Sequence, residues 1–447
     1  MSMREIKDIK QELPHDWSIS NLDSLITTRN GLWKGKKPPF HKARVIRNTN
    51  FNNDGTLDLS DVAELKVQEN QFSSRQLRKG DIILERSGGG PSQPVGRVVL
   101  FDLDDNDFSF SNFTTRLRIA DENLVTSKFL LYFLLHFYNE GYTNALQSRT
   151  TGIRNLSFND YKNIPIPLPP LPEQRAIAHV LSTVRQAIDA TERVIAAARE
   201  LKRSMMKHLF TYGPVPVDQA DQVPLKETEI GEIPEQWEVM NLGNVSKLRK
   251  ETVHPEDFQE TRYVGLQHMD SGEIYITKFG FGSDVKSSKH RFYTGDILYG
   301  KLRPYLDKCA LAEWSGISST DILIITPKEN TTISEYLLYI LHSSKYLTYA
   351  NKTTSGTNLP RTSWSSMKQY KFGLPNFKEQ KISAEHLQTV EKKLITEENK
   401  KITLEALFNS LLHYLMTGKV RVNTLIPGPS PSEGEGRKSL SPGGEVR

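Results

Sequence analysis

LPPLPEQRAIAHVLSTV, residues 168–184, has a counterpart later in the same chain. Pro172-Glu173-Gln174 opens a long helical pattern, and Lys378-Glu379-Gln380 opens another 206 residues on. Without a gap, Leu181 falls on Leu387, Val184 on Val390, Ile188 on Leu394, Leu201 on Leu407, Met205 on Leu411 and Leu209 on Leu415. In the first pattern apolar or small residues stand at 177, 181, 184, 188, 191, 195 and 198. That alternation of four and three is a heptad seam. Pro172 suits a first helical turn, where its missing N–H costs nothing. Gly213-Pro214 ends the first pattern, and Gly418 ends the second. Asn376 with Glu379 three residues on reads as a capping box. Each helix spans roughly 60 Å at 1.5 Å per residue. A single apolar seam of that length needs a partner seam, and the two copies supply each other most simply as an antiparallel pair. Glu397 and Lys401 interrupt the second seam and mark a local opening or a site for another subunit.

Working outward, the domain starts repeat as well. Leu13-Pro14-His15-Asp16-Trp17 is answered by Ile233-Pro234-Glu235-Gln236-Trp237, and each is followed by Asn-Leu. Gly80-Asp81-Ile82-Ile83 is answered by Gly295-Asp296-Ile297-Leu298, and Lys128 to Tyr132 by Glu335 to Tyr339. Thr150-Thr151-Gly152 is answered by Thr353-Thr354-Ser355-Gly356. A period near 200 residues is too long for a solenoid and means duplicated domains. Strand-like runs at 81–84 and 97–100 flank a Gly/Pro turn, and a helix is expected over Ser127 to Tyr138. The fold class is therefore α/β (α+β): two similar mixed domains and two long helices in an antiparallel coiled coil. The divisions are 1–165, 166–213, 214–372 with a linker at its start, 373–419, and a Gly/Pro/Ser-rich tail over 420–447 expected to be disordered. Anchors match while interiors diverge, as in a shared scaffold with different working surfaces.

The chain has 447 residues, 25% of them charged, and a net charge of +5. Such a balance permits a nucleic-acid partner without requiring one. A lone cysteine, Cys309, excludes a disulfide framework and a Cys-based metal cluster. The longest apolar run, Phe129 to Leu135, is too short to span a bilayer. No secretory signal is seen in MSMREIKDIK, so a cytoplasmic protein is expected.

Catalytic machinery is not legible. Lys37-Pro38-Pro39-Phe40 approaches the loop of an adenine methyltransferase, but a leading lysine cannot accept a hydrogen bond from the amine of the base. Gly88-Gly89-Gly90 lacks the Gly-Lys-Ser/Thr ending of a P-loop. Asp81 and Glu85 could begin a nuclease carboxylate cluster, but the second copy has Asp296 and Gly300. Turn chemistry is the simpler reading of a Gly-Asp pair. The histidines show no HExxH-type spacing, and no metal site is expected. His179, His208 and His386 fall on the helices as solvated or interfacial groups.

Several segments resemble the specificity (S) subunits of type I restriction–modification enzymes. They are IPEQW at 233–237, RYVGLQHMDSGEI at 262–274, GDILYGKLRPYLDKCALAEWSGISSTDILI at 295–324 and LPPLPEQRAIAHVLSTV at 168–184. The resemblance covers residues 1 to about 420. In the first copy, KARVIRNTNF at 42–51 stands where the family has a tyrosine-led strand, and SGGGPSQPVGR at 87–97 matches its Gly-rich turn loosely. The resemblance implies two target recognition domains, each reading half of a bipartite double-stranded DNA sequence, held apart by conserved spacer helices. It implies two methyltransferase (M) subunits and two restriction (R) subunits as partners. S-adenosylmethionine would belong to the M subunits, ATP to the R subunits, Mg to the partner subunits, and no cofactor to this chain. A related restriction system with a fused methyltransferase–nuclease partner is the neighbouring alternative. A coiled-coil scaffold without DNA binding is the rival of another class.

DNA reading needs side chains that reach phosphates and base edges. In the first domain the candidates are Arg86 and Arg97 flanking the turn, then Arg149, Thr151, Arg154 and Asn155. In the second they are Lys301, Arg303 and Tyr305, then Thr354, Thr357, Asn358 and Arg361. Residues 173–212 carry 7 basic against 4 acidic side chains, and 379–417 carry 5 against 6. Near-balanced helices suit spacing and docking better than phosphate binding.

Overall fold

Both Glu-Gln pairs begin helices, Leu171–Tyr212 and Phe377–Met416, in the computed structural model. It describes residues 13–33, 38–90, 93–150, 153–356 and 358–422, with the backbone alone for 149, 150 and 153. Lys37, Thr151, Thr357, the side chain of Arg149 and the tail from 423 lie outside it. Among the described residues, no helix is long and apolar enough to cross a membrane.

The chain divides into two compact units. One holds residues up to Ala190 together with those from Lys401, and the other holds Thr191–Lys400. Each long helix is thus shared between the units.

In the first unit, a four-stranded antiparallel sheet runs Ile26–Asn30, Thr114–Ile119, Asp81–Glu85, Val98–Phe101. A second sheet runs Ala63–Gln68, Phe40–Ile46, Phe108–Phe110. The helix Ser127–Asn139 is apolar along its length because it is sandwiched: Phe129 through Leu135 are all buried. They share a core with Ile177, Leu181 and Ile188 of the first long helix and with Phe408, Leu412 and Leu415 of the second. In the second unit the equivalent sheet runs Ser246–Arg249, Ile322–Pro327, Ile297–Gly300, Cys309–Leu311. A five-stranded sheet lies beside it, and the apolar helix is Ser334–Leu341. There Leu209 and Leu387 enter the domain core, while Ile195, Ala198, Val390 and Leu394 pack with one another. In each unit early residues of one helix meet late residues of the other, which is the antiparallel pairing that two seams require. Burial of each such Leu or Ile contributes about 1.5–3 kcal/mol.

The repeated Glu-Gln pair joins helix to domain. Gln174 is fully buried. Its Oε1 accepts from the Thr126 N–H at 3.0 Å, and its Nε2 donates to the carbonyls of Leu124 and Pro169. Gln380 does the same, accepting from the Ile333 N–H at 3.2 Å and donating to the Pro375 and Thr331 carbonyls. Thr126 and Ile333 are the residues that cap the two domain helices. Glu173 accepts from the Trp17 indole at 3.2 Å and Glu379 from that of Trp237 at 3.0 Å. Asn376 Oδ1 caps the Glu379 N–H at 3.0 Å as expected, while the carboxylate of Glu379 serves the tryptophan. Gly213, at φ 84°, and Gly418, at φ 69°, end the helices where a side chain would crowd Trp237 and strike Pro14 respectively.

Glu397 does not open the seam within its unit. It is 6% exposed and held by Lys393 at 2.5 Å and Lys400 at 3.5 Å. Nearly two turns earlier Glu391 is buried against Lys202 at 2.6 Å. Lys401 pairs along its own helix with Glu405 at 3.6 Å.

Candidate nucleic-acid interface

The Gly-Asp turn of each domain sets a strand whose far end carries a cation. Asp81 accepts from the Arg78 N–H at 2.7 Å and from Arg118 at 2.6 and 2.7 Å. Asp296 accepts from the Tyr293 N–H at 2.8 Å, from Arg249 at 2.9 and 3.0 Å and from the Thr326 hydroxyl. Both carboxylates are consumed by the turn and one arginine, which is the turn role expected of them. Glu85 is likewise held by Arg97 at 2.8 and 2.9 Å.

The strand delivers Arg86 in the first domain and Lys301 in the second. Their backbones are tied identically. Arg86 N–H bonds the Phe113 carbonyl at 2.9 Å, and its own carbonyl accepts from Leu156 at 2.8 Å. Lys301 N–H bonds the Asp321 carbonyl at 3.0 Å, and its carbonyl accepts from Thr362 at 2.9 Å. The turn after the strand and the loop late in the domain are therefore laced together in both copies. Two candidate groups far apart in sequence become one surface.

In the second domain this surface holds Lys301, Arg303, Tyr305, Thr354, Asn358 and Arg361. Arg303 is in the left-handed region, φ 52° and ψ 68°, and its N–H bonds the Pro360 carbonyl at 2.7 Å. A non-glycine residue there costs about 1 kcal/mol, held by the surrounding structure. Its side chain is exposed, as are those of Asn358 and Arg361, and Tyr305 is 56% exposed. Ser355 and Arg361 exchange backbone bonds at 3.0 and 2.9 Å across the loop. Asp321 lies 3.6 Å from Lys301 and 3.8 Å from Arg361, so it neutralises that pair in part. Lys301 also donates to the Thr320 carbonyl at 2.7 Å. Thr354 turns its hydroxyl back to the Asn351 carbonyl.

In the first domain Arg86 is half-buried. It donates to Asn30 Oδ1 at 3.0 Å and lies 4.5 Å over the ring of Phe158. Burial holds its pKa below the usual arginine value. It borders a hollow of about 490 Å³ lined also by Thr28, Arg29, Phe158 and Lys162. Arg29 and Lys162 are cations that sequence reasoning missed, although Arg29 sits on a strand whose residues 27–30 are all exposed. Nearby, Arg116 is pushed down to about 10 by burial and then by the charge of Arg118, with Arg29 and Arg78 adding to the effect. Arg154 donates to Gln147 Oε1 at 3.4 Å, and Asn155 Oδ1 accepts from the Ser87 hydroxyl, tying the late hairpin to the Gly-rich turn. That turn forms a strand, Ser87–Gly89, beside Ile153–Leu156.

Arg97 does not belong to the surface. It is 8% exposed, and besides Glu85 it donates to the carbonyls of Phe51 at 3.0 Å and Asn48 at 2.9 Å. Its donors are spent inside the domain, so it braces the fold where a DNA contact was expected.

On the long helices, Leu201 is 52% and Leu407 45% exposed. These two leucines are equivalent in the repeat, and neither lies in a seam.

The family described as Type I restriction modification DNA specificity domain matches residues 14–199 and 234–406. The putative type I restriction enzyme MjaX specificity subunit of Methanocaldococcus jannaschii is 26% identical over 430 residues, 92% of this chain and 96% of that protein. The type I restriction enzyme EcoKI specificity subunit of Escherichia coli (strain K12) is 30% identical over 193 residues, 40% of this chain and 39% of that protein. Among solved structures, the S subunit of a type I restriction–modification system from M. genitalium aligns with a TM-score of 0.58 at 19% identity, covering 91% of this chain and 98% of that one. A chain from a structure on the assembly and conformational transition of the type I R-M system aligns with a TM-score of 0.51 at 18% identity, covering 91% and 99%. At these identities the solved structures establish a shared fold.

Proposed function

Because this chain belongs to the family of type I restriction–modification DNA specificity domains, we propose that each of its two domains reads one half of a bipartite double-stranded DNA target. As a member of that family the chain recognises DNA and is not itself an enzyme. The long helices, in this reading, set the spacing of the half-sites and dock two M subunits, with two R subunits completing the endonuclease. S-adenosylmethionine, ATP and Mg belong to those partners.

One observation carries the reading. An identical backbone lacing in the two domains presents different side chains, Arg86 with its hollow in one and Lys301, Arg303 and Tyr305 in the other. A common frame with exchanged tips is what two readers of different half-sites need. Exposed Arg and Lys supply phosphate attraction, and arginine can hydrogen-bond a guanine edge in the major groove.

The test is an exchange. Residues 238–372 are replaced by the matching part of a related subunit, and the methylated motif is mapped with the same M partners. One half-site should change and the other remain. A change in both would refute independent reading.

A further inference from the structure

We propose that His136, Glu140 and His413 form a binding site for one borderline divalent metal ion of the zinc class. All three belong to the first unit. His136 is on the helix Ser127–Asn139, Glu140 caps its end, and His413 is on the second long helix. One donor atom from each lies within 4.8 Å of the others. Glu140 Oε1 is 3.3 Å from His413 Nδ1 and 3.8 Å from His136 Nδ1. Donors around tetrahedral zinc, each at ~2.0–2.1 Å, stand roughly 3.3 Å apart. Modest rotation of two side chains closes the difference.

The chemistry agrees with the geometry. Two imidazoles and one carboxylate favour Zn, Co, Ni or Cu over the hard cations Mg and Ca. Residues four apart on a helix share a face, so His136 and Glu140 are placed together before the third ligand arrives. His136 is 6% exposed. The side chains of Glu140 and His413 are each 39% exposed and leave the ion a way in. The C-terminal end of a helix also favours a cation through its dipole.

The repeat supplies an internal control. Its offsets place Ser343, Leu347 and Lys207 at the matching positions of the second unit. Those three line one cavity there, so the neighbourhood is kept while the ligands are absent. The scaffold does not need the triad to join a domain helix to a long helix. The first unit has it in addition.

The experiment uses the full-length chain without a histidine tag, stripped by chelator and dialysed against Zn2+. Bound metal is measured by mass spectrometry and unfolding by thermal melt. One zinc per chain is expected, with a raised Tm. His413→Asn and Glu140→Gln, both at partly exposed positions, should each weaken binding at least ~10-fold and remove the Tm shift. Co2+ in place of zinc should give an absorption spectrum that His413→Asn changes. No zinc uptake by the unmodified chain overturns the proposal. So does equal uptake by the chain carrying both substitutions.

Discussion

Arg303 and Arg97 show how one residue type takes opposite roles. Arg97 meets a carboxylate and two carbonyls inside the first domain and is neutralised there. Arg303 is held in a left-handed conformation by the Pro360 carbonyl, with its side chain exposed. Backbone strain kept at an exposed cation points to use. Arg303→Ala should weaken DNA binding by the assembled complex while leaving its fold intact, because no buried group loses a partner. A base contact would relax one position of the half-site by ~1–3 kcal/mol, whereas a phosphate contact would weaken all sequences alike and lower the salt slope. Titration of binding against salt with matched and mismatched duplexes distinguishes the two, and unchanged affinity throughout would remove Arg303 from the surface. The triad at His136 illustrates the limit at this scale. His136 and Glu140 have a helical spacing in the sequence, but the third member lies 273 residues from Glu140.

At the scale of elements, the long helices hold most of the legible information. Their seams were read from spacing alone, and 177, 181, 188, 191, 195 and 198 are buried. The polar interruption at Glu397 is covered by lysines of its own helix, since a carboxylate in a seam must be paired. Seven residues inserted after Ile188 and after Leu394 would preserve the seam. They would lengthen each helix by ~10 Å at 1.5 Å per residue. DNA advances 3.4 Å per base pair, so the spacer of the recognised motif should grow by up to ~3 base pairs. The methylated motif made by the lengthened subunit with its own M partners is the measurement. An unchanged spacer with intact half-sites would assign the ruler to something else.

Across the whole molecule, each unit is assembled from the same parts: a domain, the start of one long helix and the end of the other. In the second unit the end of the first helix runs on through Gly213 toward Trp237. In the first unit that junction is not continuous, and Arg421 closes it. Its guanidinium donates to Glu173 at 2.6 and 2.7 Å and to Asp16 at 2.9 and 2.7 Å. These bonds hold its pKa above the usual arginine value. Arg421→Ala should destabilise the first unit by about 1–3 kcal/mol, discounted because Arg421 and Asp16 are part-exposed. Hydrogen exchange should report the loss around Trp17 and the start of the first long helix, with the second unit unchanged. Equal loosening of both units would contradict the assignment.

The duplication, the two long helices with their seams, and the mixed domains were determined by the sequence alone. Periodicity and repeated anchors are local signals, and a helix of 42 or 40 residues carries many of them. The roles of Glu173, Gln174, Glu379 and Gln380 were visible only as a repeat, since the domain residues they bind at Thr126, Trp17, Trp237 and Ile333 lie 47 to 156 residues away. Tertiary structure alone decided which arginines face solvent. Burial and ion pairing depend on what arrives from other strands, and no spacing rule distinguishes Arg97 from Arg86. Tertiary structure also joined the turn at Lys301 to the loop at Arg361, and His136 to His413. In each case the contact is made by chain segments whose separation in sequence carries no trace of their distance in space.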